Sequence, residues 1–222
     1  MDIPLFPLPN LVLFPNVIIP LHIFEERYKL MINTCIDTDE SFGLVLLRGE
    51  GQEETAEMIH RVGVTARVIQ VDRLGDGRLN IFCQGETRFR IHRFTQQKPY
   101  WKASVDFFEE DQPALRDESL YARVSDLYRK IFELGIKLNA GERSELTLPE
   151  SPTGLSFVVS YILELESEEK QRLLEMTSTS DRLEVLVVHM EETVRRIEQQ
   201  IAYKVVTAKV RGNGDLGKPA TS

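Results

Sequence analysis

The spacing of the apolar residues changes near Pro113, and this change limits the folds that are open to the chain. Before Pro113 the apolar segments are short or alternate with polar residues, which is typical of β-strands, whereas after it they recur with the period of a helix. The strand segments follow one another too closely for helical crossovers, so we expect an antiparallel or mixed, curled sheet. The sequence thus predicts an α+β chain, with a β subdomain over residues 1–112 followed by an α-helical bundle over residues 113–206.

Five segments of the first half have the length and pattern of strands. They are FGLVLL (42–47), VGVTARVIQVDRL (62–74), RLNIFCQG (78–85), TRFRIHRF (87–94) and YWKASVDFF (100–108). Gly75-Asp76-Gly77 lies between the second and third segments and predicts a hairpin turn. The residues that share the apolar face of their segment are Leu79, Ile81, Cys83, Phe89, Ile91, Trp101, Ala103, Val105 and Phe107.

The N-terminal segment is apolar and is interrupted by prolines at positions 4, 7, 9, 15 and 20. Because proline has no amide N–H, such a segment suits edge strands and bends. Residues 24–36 follow it with helical periodicity, and we expect this helix to cap one end of the sheet. Its predicted inner face consists of Phe24, Tyr28, Met31, Ile32 and Cys35, and its outer face of Glu25, Glu26, Lys29 and Asn33, with Arg27 at the border. Most of this apolar material suits a core; the alternative is that part of it lines a groove for unfolded polypeptide.

The second half predicts four helices: residues 115–138, 153–165, a short helix from Ser167, and 181–206. Ser151-Pro152 offers a cap and a first-position proline to the second helix, which is apolar nearly all round and is therefore predicted to be the most buried. The apolar stripes of the first and last helices are Leu120, Val124, Leu127, Ile131, Leu134 and Leu138, and Leu183, Leu186, Val187, Met190, Val194, Ile197 and Ile201. Residues 207–222 are glycine-rich without an apolar pattern, and we predict a disordered tail.

Charge and composition narrow the classes of partner. The formal net charge is -8, with 35 acidic against 27 basic side chains, so nucleic acid is a disfavoured partner. No segment reaches the roughly 20 apolar residues of a membrane span, and the N-terminus lacks the pattern of a secretory signal. We therefore expect a cytoplasmic protein with no membrane partner, and we expect Cys35 and Cys83 to be reduced, buried thiols.

No motif in the sequence demands catalysis, and we predict no catalytic, cofactor-binding or metal-binding residues. Gly212, Gly217 and Lys218 spell the beginning of a phosphate-binding loop, but Pro219 stands where that loop needs a hydroxyl. The histidines lie on separate predicted elements without the spacing of metal ligands. They are His22, His60, His92 and His189.

Arg88, Arg90 and Arg93 surround His92 and form a local basic concentration along one predicted strand. Such a stripe could contact RNA or an acidic peptide. The simpler interpretation, which we favour, is an ordinary solvent face whose charges are balanced by neighbouring acids.

Two long segments are the most distinctive in the chain: the proline-broken lead IPLFPLPNLVLFPNVIIPLHIFEERYKLMI, and HRVGVTARVIQVDRLGDGRLNIFCQGETRFRI with its Asp-Gly turn. Together with FGLVLLRGE and LSFVVSYILELESEEKQRLLEMTSTSDRLEVLVVHMEETV, they resemble the N-terminal, substrate-binding domain of Lon proteases. The resemblance covers about residues 1–205. It implies a PUA-like curled sheet or pseudo-barrel followed by a helical bundle.

In complete Lon proteases an ATPase domain and a Ser-Lys peptidase domain follow, so the resemblance implies a free-standing bacterial member that is not itself an enzyme and uses no cofactor. It implies a protein-binding module for unfolded or client polypeptides, which would work with a separate protease or chaperone; self-association is left open. The helix positions that match the family's candidate substrate contacts are Glu26 and Arg27, and an ordinary solvated helix face is the alternative. An RNA-binding PUA-like domain and a small-molecule site between the two subdomains are the competing hypotheses.

Overall fold

The computed structural model describes residues 1–49, 54–111, 118–139 and 146–212. Within them the chain forms six strands and five helices. The strands are β1 (Asp2–Pro9), β2 (Ile18–Ile23), β3 (Phe42–Leu47), β4 (Ile59–Arg73), β5 (Leu79–Gln96) and β6 (Lys102–Phe107). The helices are α1 (Glu26–Thr38), α2 (Glu118–Asn139), α3 (Pro152–Ile162), α4 (Ser167–Glu175) and α5 (Thr179–Gly212).

The strands form one curled sheet in the order β2-β5-β4-β3-β1-β6, and β5 also pairs with β6. This additional pairing joins the far end of the sheet back to β5, which is long enough to serve both partners. Its residues 79–84 pair with β2 and its residues 89–96 pair with β6. The β1–β3 pair is parallel and the others are antiparallel, so the mixed, curled sheet predicted from the sequence is confirmed.

The turn between β4 and β5 is the hairpin that the sequence predicts. Leu74 donates its amide to the carbonyl of Arg78 at 2.9 Å, and Gly77 donates to the carbonyl of Leu74 at 3.0 Å. Gly77 has a φ of 83°, a left-handed conformation that glycine adopts without a Cβ penalty. The turn therefore fixes the register of the two longest strands.

The core of the sheet is built from the faces that the sequence marks as apolar, with one exception. Leu79, Ile81, Cys83, Phe89, Ile91, Trp101, Ala103 and Val105 are all buried. Phe107 is predicted to face inward, but 48% of its surface is exposed. The pairing of β1 with β6 ends at Ser104, so the last part of β6 has β5 as its only neighbour in the described sheet. Phe107 consequently lies at an open end of the barrel wall.

Helix α1 begins later than the sequence predicts, and this shift changes one residue of its inner face. Glu25 is the N-cap and has an extended backbone, so Phe24 lies in the connection after β2 and is 61% exposed. The predicted burial of Phe24 is therefore wrong. The remaining predicted inner residues, namely Tyr28, Met31, Ile32 and Cys35, are buried as expected.

Helix α3 has the cap that the sequence predicts, because Ser151 Oγ accepts a hydrogen bond from the amide of Gly154 at 3.0 Å. Its buried apolar residues are Leu155, Phe157 and Val159. The sequence predicts burial nearly all round this helix, but Ile162, which ends it, is 41% exposed. Helix α4 begins at Ser167 as predicted, and its N-cap Glu166 makes no side-chain capping bond.

The described chain divides into two compact units. The sheet unit contains the described residues of 1–115 and 149–182, and the helix-pair unit contains those of 116–148 and 183–222. The first boundary lies close to the predicted one at residue 112. Helices α3 and α4, which the sequence assigns to the bundle, group with the sheet, since α4 packs directly on β4.

In the helix-pair unit, α2 and α5 run parallel. Arg123 pairs with Glu191, and Lys130 pairs with Glu198 at 2.9 Å. From the first pair to the second, the residue number increases by seven on both helices, as it does in parallel helices with a heptad repeat. Of the predicted α2 stripe, Val124 is buried and the rest is half-buried. The α5 stripe is buried from Leu183 to Val194. Residues 207–212 of the predicted tail continue α5, and residues 213–222 lie outside the described part of the chain.

Candidate functional site

The two residues predicted to contact substrate lie at the start of α1, and they differ in exposure and in the number of acidic side chains that they contact. Glu26 is largely exposed and pairs with Lys29 at 2.5 Å. Arg27 donates to both carboxylate oxygens of Glu54, at 3.0 Å from Nη1 and 2.6 Å from Nη2, and its Nε donates to Glu25 at 2.9 Å. The N–H donors of the Arg27 guanidinium thus bind carboxylates of the same chain.

Glu54 is the centre of a small polar network that sequence patterns do not reveal. Besides the two bonds from Arg27, it accepts from the Tyr28 hydroxyl at 3.3 Å and from Trp101 Nε1 at 3.2 Å. Burial and the neighbouring Glu54 charge raise the pKa of Tyr28 far above its usual value. Burial lowers the pKa of Arg27, but the bonds to Glu54 and Glu25 outweigh it and leave that pKa raised. The network joins α1 to the segment before β4, which contains Glu54, and to Trp101, the residue before β6.

The strongest candidate for a binding surface lies on β2, immediately before α1. Strand β2 alternates: Ile19 and Ile23 are buried with Leu21 half-buried on the same face, whereas Ile18, Pro20 and His22 are exposed on the other face. On β5, Phe82 lies directly opposite Pro20. Phe24 follows the strand and stacks on His22 with ring centroids 6.0 Å apart. We call the resulting surface the β2 strip, and its members are Ile18, Pro20, His22, Phe24 and Phe82.

The β2 strip exposes large apolar side chains next to one another. Ile18 is 50% exposed and Phe82 is 42% exposed, and both lie on the same face as Pro20. Exposed apolar side chains that lie side by side mark interaction sites more often than scattered ones do. In addition, β2 pairs with β5 and with no other strand of the described chain, so it is an edge strand. Pro20 in such a strand agrees with the expectation that the prolines occupy edges.

The β2 strip is held in place by its connection to β5. Asn16 donates its amide to the carbonyl of Gly85 at 2.8 Å, and Gly85 donates to Val17 at 2.9 Å. A Cβ on Gly85 would lie 2.3 Å from the carbonyl oxygen of Phe14, so only glycine allows this approach. At the other end, His22 Nδ1 lies 2.7 Å from Asn80 Oδ1. The surface is therefore preformed.

One residue of the predicted arginine stripe has a different environment from the one expected. The sequence predicts Arg88 on a solvent face, but it is 3% exposed. It donates to the carbonyl oxygens of Leu174 at 2.9 Å and Met176 at 2.6 Å, and to Glu110 at 2.6 Å. Burial lowers its pKa, although nearby carboxylates oppose that effect. Helix α4 and the segment after it cover this part of β5, which the alternation along β5 could not show.

Arg90 and Arg93 remain exposed. The guanidinium of Arg90 stacks over the ring of Phe108 at 5.2 Å. The basic stripe in the structure is accordingly smaller than the sequence suggested, and RNA binding through it stays a prediction.

Arg182, at the start of α5, is fully buried and shares Glu110 with Arg88. Its Nε donates to Ser156 Oγ at 2.8 Å, and its guanidinium stacks over Phe157 at 4.3 Å. Burial lowers the pKa of Arg182 to about 10, against the opposing charge of Glu110. A lone arginine at a helix start carries no sequence signal of burial, so this network was missed. It joins α3, the start of α5 and the end of β6 within the sheet unit.

Comparison with known proteins identifies the family. The family model described as the ATP-dependent protease La (LON) substrate-binding domain matches residues 2–192. The chain belongs to this family. The predicted Lon substrate-binding family and the α+β fold are thereby confirmed.

Curated relatives of this Lon substrate-binding domain are Lon proteases. The Lon protease of Flavobacterium johnsoniae is 28% identical over 202 residues, which cover 89% of this chain and 25% of that protein. The Lon protease of Cytophaga hutchinsonii is 26% identical over 211 residues, covering 92% and 26% respectively. The chain spans about a quarter of the length of these relatives.

Solved structures agree with the fold. A Lon N-terminal domain protein from Xanthomonas campestris superposes with a TM-score of 0.65 at 23% identity, covering 85% of this chain and 98% of that one. The N-terminal domain of a Mycobacterium avium complex Lon protease gives 0.58 at 17% identity, with 86% and 98% coverage. These likenesses support the curled sheet with its helices, and they carry no statement about residues of a site.

The two cysteines of this Lon substrate-binding domain lie in the protein interior. Cys35 and Cys83 are buried free thiols, as predicted, and burial raises their pKa values to about 11 and about 12. Across the described ranges, no group of three or more His, Cys, Asp or Glu side chains is arranged to hold a metal ion. None of the helices, as far as the structure describes them, is both long and apolar enough for a membrane crossing. Gly212 ends α5, while Gly217 and Lys218 lie outside the described residues.

Proposed function

We propose that this Lon substrate-binding domain recognises protein substrates by taking up extended, apolar polypeptide segments along the β2 strip. The observation that carries the proposal is the row of exposed apolar side chains on a preformed edge strand. An extended segment beside such a strand gains main-chain hydrogen bonds, and its alternate side chains meet the exposed apolar residues. The family's substrate-binding role supports polypeptide as the occupant.

The expected affinity of a single segment is modest. Complete burial of an isoleucine or phenylalanine side chain contributes about 1.5–3 kcal/mol, so covering the exposed half of Ile18, Phe24 or Phe82 contributes about 1 kcal/mol each. Part of this gain offsets the entropy lost when the two chains associate. Weak binding of many apolar segments suits a domain that samples unfolded clients.

The predicted polar positions take a secondary part in this proposal. Glu25 and Glu26 are exposed where the β2 strip meets α1, and their carboxylates pair with Arg27 and Lys29 of that helix. Arg27 acts indirectly, because its pairing with Glu54 holds the first turn of α1. Recognition needs no catalysis by this domain, and we propose that a separate protease or chaperone acts on the bound client.

The test is binding of a reduced, alkylated and fluorescently labelled unfolded protein, followed by anisotropy. Ile18→Ser combined with Phe82→Ser should weaken binding about 30-fold, since about 2 kcal/mol of contact is lost. Leu30→Ser is the matched control, because Leu30 is a 53% exposed apolar residue on α1 outside the β2 strip. Equal affinity of the double variant and the control, with both folded by circular dichroism, would refute the β2 strip as the site.

A further inference from the structure

A cleft of about 470 Å³ opens at the end of the curled sheet where the pairing of β6 with β1 has ended. Phe107 of β6 lies opposite the buried Phe89 of β5, and residues directly opposite each other share a face of the sheet. The Phe107 ring therefore lies at the mouth of the barrel, where it lines the cleft together with Ile3 and Pro4 of β1. The mouths of β-barrels are frequent places for ligands.

The wall of this cleft that faces the apolar side is polar and is held in place by hydrogen bonds. Glu86 of β5 accepts from Arg67 Nε at 2.7 Å and from Ser41 Oγ at 2.6 Å. Arg67 Nη1 also donates to Asp39 Oδ1 at 2.9 Å. One guanidinium thus serves two carboxylates, so this wall keeps a negative charge. Because the carboxylates are already positioned, a ligand does not have to order them.

A second cleft, of about 370 Å³, adjoins the first, and both are lined by Glu86 and Thr87. Its apolar lining includes Pro15 and Phe108. We call the two adjoining clefts the rim groove. None of the residues of the β2 strip lines it. Two clefts in a row suit an extended chain segment better than a single small molecule, which would fill one of them.

The rim groove is acidic. The described carboxylates that line it belong to Asp2, Asp39, Glu40, Glu86, Glu109 and Glu110. Among the same described residues, the cations that line it are Arg67, Arg88 and the amino group of Met1. Both arginines already bind carboxylates of the groove. The excess of negative charge attracts a cationic partner and repels nucleic acid.

The aromatic rings of the rim groove differ in what covers them. Phe108 has the guanidinium groups of Arg88 and Arg90 over its ring, at 4.6 Å and 5.2 Å. In the part of the chain that the structure describes, no ring or cation stacks on Phe107, which is 48% exposed. An open ring face beside carboxylates is the combination that binds a lysine or arginine side chain. The contacts of Phe108 show the same interaction made within this chain.

We propose that the rim groove is a docking surface for basic polypeptide segments. A lysine or arginine side chain of the partner lies over Phe107, with its charge beside Glu86 and Asp39. A neighbouring apolar side chain packs on Pro4, and the segment continues into the second cleft. This surface is separate from the β2 strip, and it adds a selection for positive charge that an apolar strip does not provide.

The experiment measures binding of a fluorescently labelled peptide of alternating lysine and valine residues to the full chain by anisotropy. The comparison peptide has glutamine at each lysine position. The lysine peptide should bind more tightly, and its advantage should shrink when the salt concentration rises from about 0.05 M to about 0.5 M, because salt screens the charges.

Phe107→Ser should weaken binding of the lysine peptide about fivefold, with a smaller effect on the glutamine peptide. Ile69→Ser is the matched control, since Ile69 is a 47% exposed apolar strand residue outside the rim groove. Its affinity for the lysine peptide should equal that of the unmodified protein. Circular dichroism checks that both variants are folded.

Asp39→Asn tests the charge without disturbing the fold. Asp39 has a φ of 53°, and asparagine tolerates this left-handed conformation as aspartate does. The variant should weaken binding of the lysine peptide about two- to threefold. Asp37→Asn is its control, because it makes the same change of charge on an exposed residue that does not line the rim groove.

Three results would overturn the proposal. The first is equal affinity of the two peptides for the unmodified protein, and the second is behaviour of Phe107→Ser and Asp39→Asn that matches their controls. The third is displacement of the peptide by free spermidine at the peptide's own concentration, since a small amine would then suffice. The variant with Ile18→Ser and Phe82→Ser separates the two surfaces: it should keep the preference for lysine, and loss of that preference would place the basic site on the β2 strip instead.

Discussion

Replacing Glu110 by glutamine should destabilise the sheet unit far more than its position in the segment after β6 suggests. Its Oε1 accepts from Arg88 at 2.6 Å and from Arg182 at 3.0 Å, and its Oε2 accepts from Thr179 at 2.7 Å. The two guanidinium side chains are 3% and 0% exposed. Glutamine keeps the shape and removes the charge, so both arginines lose their shared counter-ion.

The magnitude follows from the burial of the two cations. Breaking a buried ion pair by removing one partner costs about 3–5 kcal/mol, because an uncompensated charge remains in a poorly solvated site. Asp111 lies near enough to stabilise the charge of Arg88, so we expect the lower end of that range. A loss of about 3 kcal/mol corresponds to a fall in Tm of roughly 6–12 °C for a chain of this size.

The assay is equilibrium urea unfolding followed by the fluorescence of Trp101, which is buried in the sheet unit and is the only tryptophan in the sequence. Glu109→Gln is the matched control, since it makes the same chemical change one residue away on a more accessible side chain. That control should change the free energy of unfolding by less than about 0.5 kcal/mol. If the two variants unfold alike, the arginines do not depend on Glu110 and the interpretation of this network is refuted.

Two further predictions concern the core. Val159→Asp places an unpaired charge at a fully buried position of α3, so it should lower the free energy of unfolding by more than about 4 kcal/mol or prevent cooperative folding. Val188→Asp, at a 62% exposed position, is the control and should be nearly neutral. Equal melting curves of the two variants would contradict the burial of α3. Cys35 and Cys83 should resist alkylation at about pH 8.5 until the chain unfolds, because burial keeps both thiols protonated. Their folded pKa values of about 11 and about 12 lie above the ordinary 9.0, so the stability they contribute is complete below pH 9 and is lost as the pH rises through the folded values; rapid labelling of the folded protein would contradict this.

Local patterns determined most of the secondary structure and much of the core. The alternation in β5 identified Leu79, Ile81 and Cys83 as buried, and the turn before them fixed their register. Ser151 and Pro152 marked the start of α3 correctly. These features depend on neighbours within a few residues, so their physical causes are present in the sequence itself.

The errors arise where burial depends on a distant element. Alternation placed Arg88 on an outer face, and that face is covered by α4, whose Leu174 lies 86 residues later in the chain. Phe107 alternates correctly but lies where β1 no longer flanks β6. Phe24 belongs to an apolar periodicity that continues into α1, yet the helix begins only after Glu25. In each case the missing information is which other segment packs there.

The candidate sites divide in the same way. The sequence alone determined a curled sheet with helices, buried thiols and an apolar, proline-broken lead, because chain-local sterics and hydrophobic periodicity act before any tertiary contact forms. Only the tertiary structure decided that Glu54 holds Arg27, that Glu110 lies between two buried arginines, and that His60 meets α4. Hydrogen bonds and ion pairs act over a few ångströms in space, and residues that are far apart in the chain acquire such partners only when the fold brings them together.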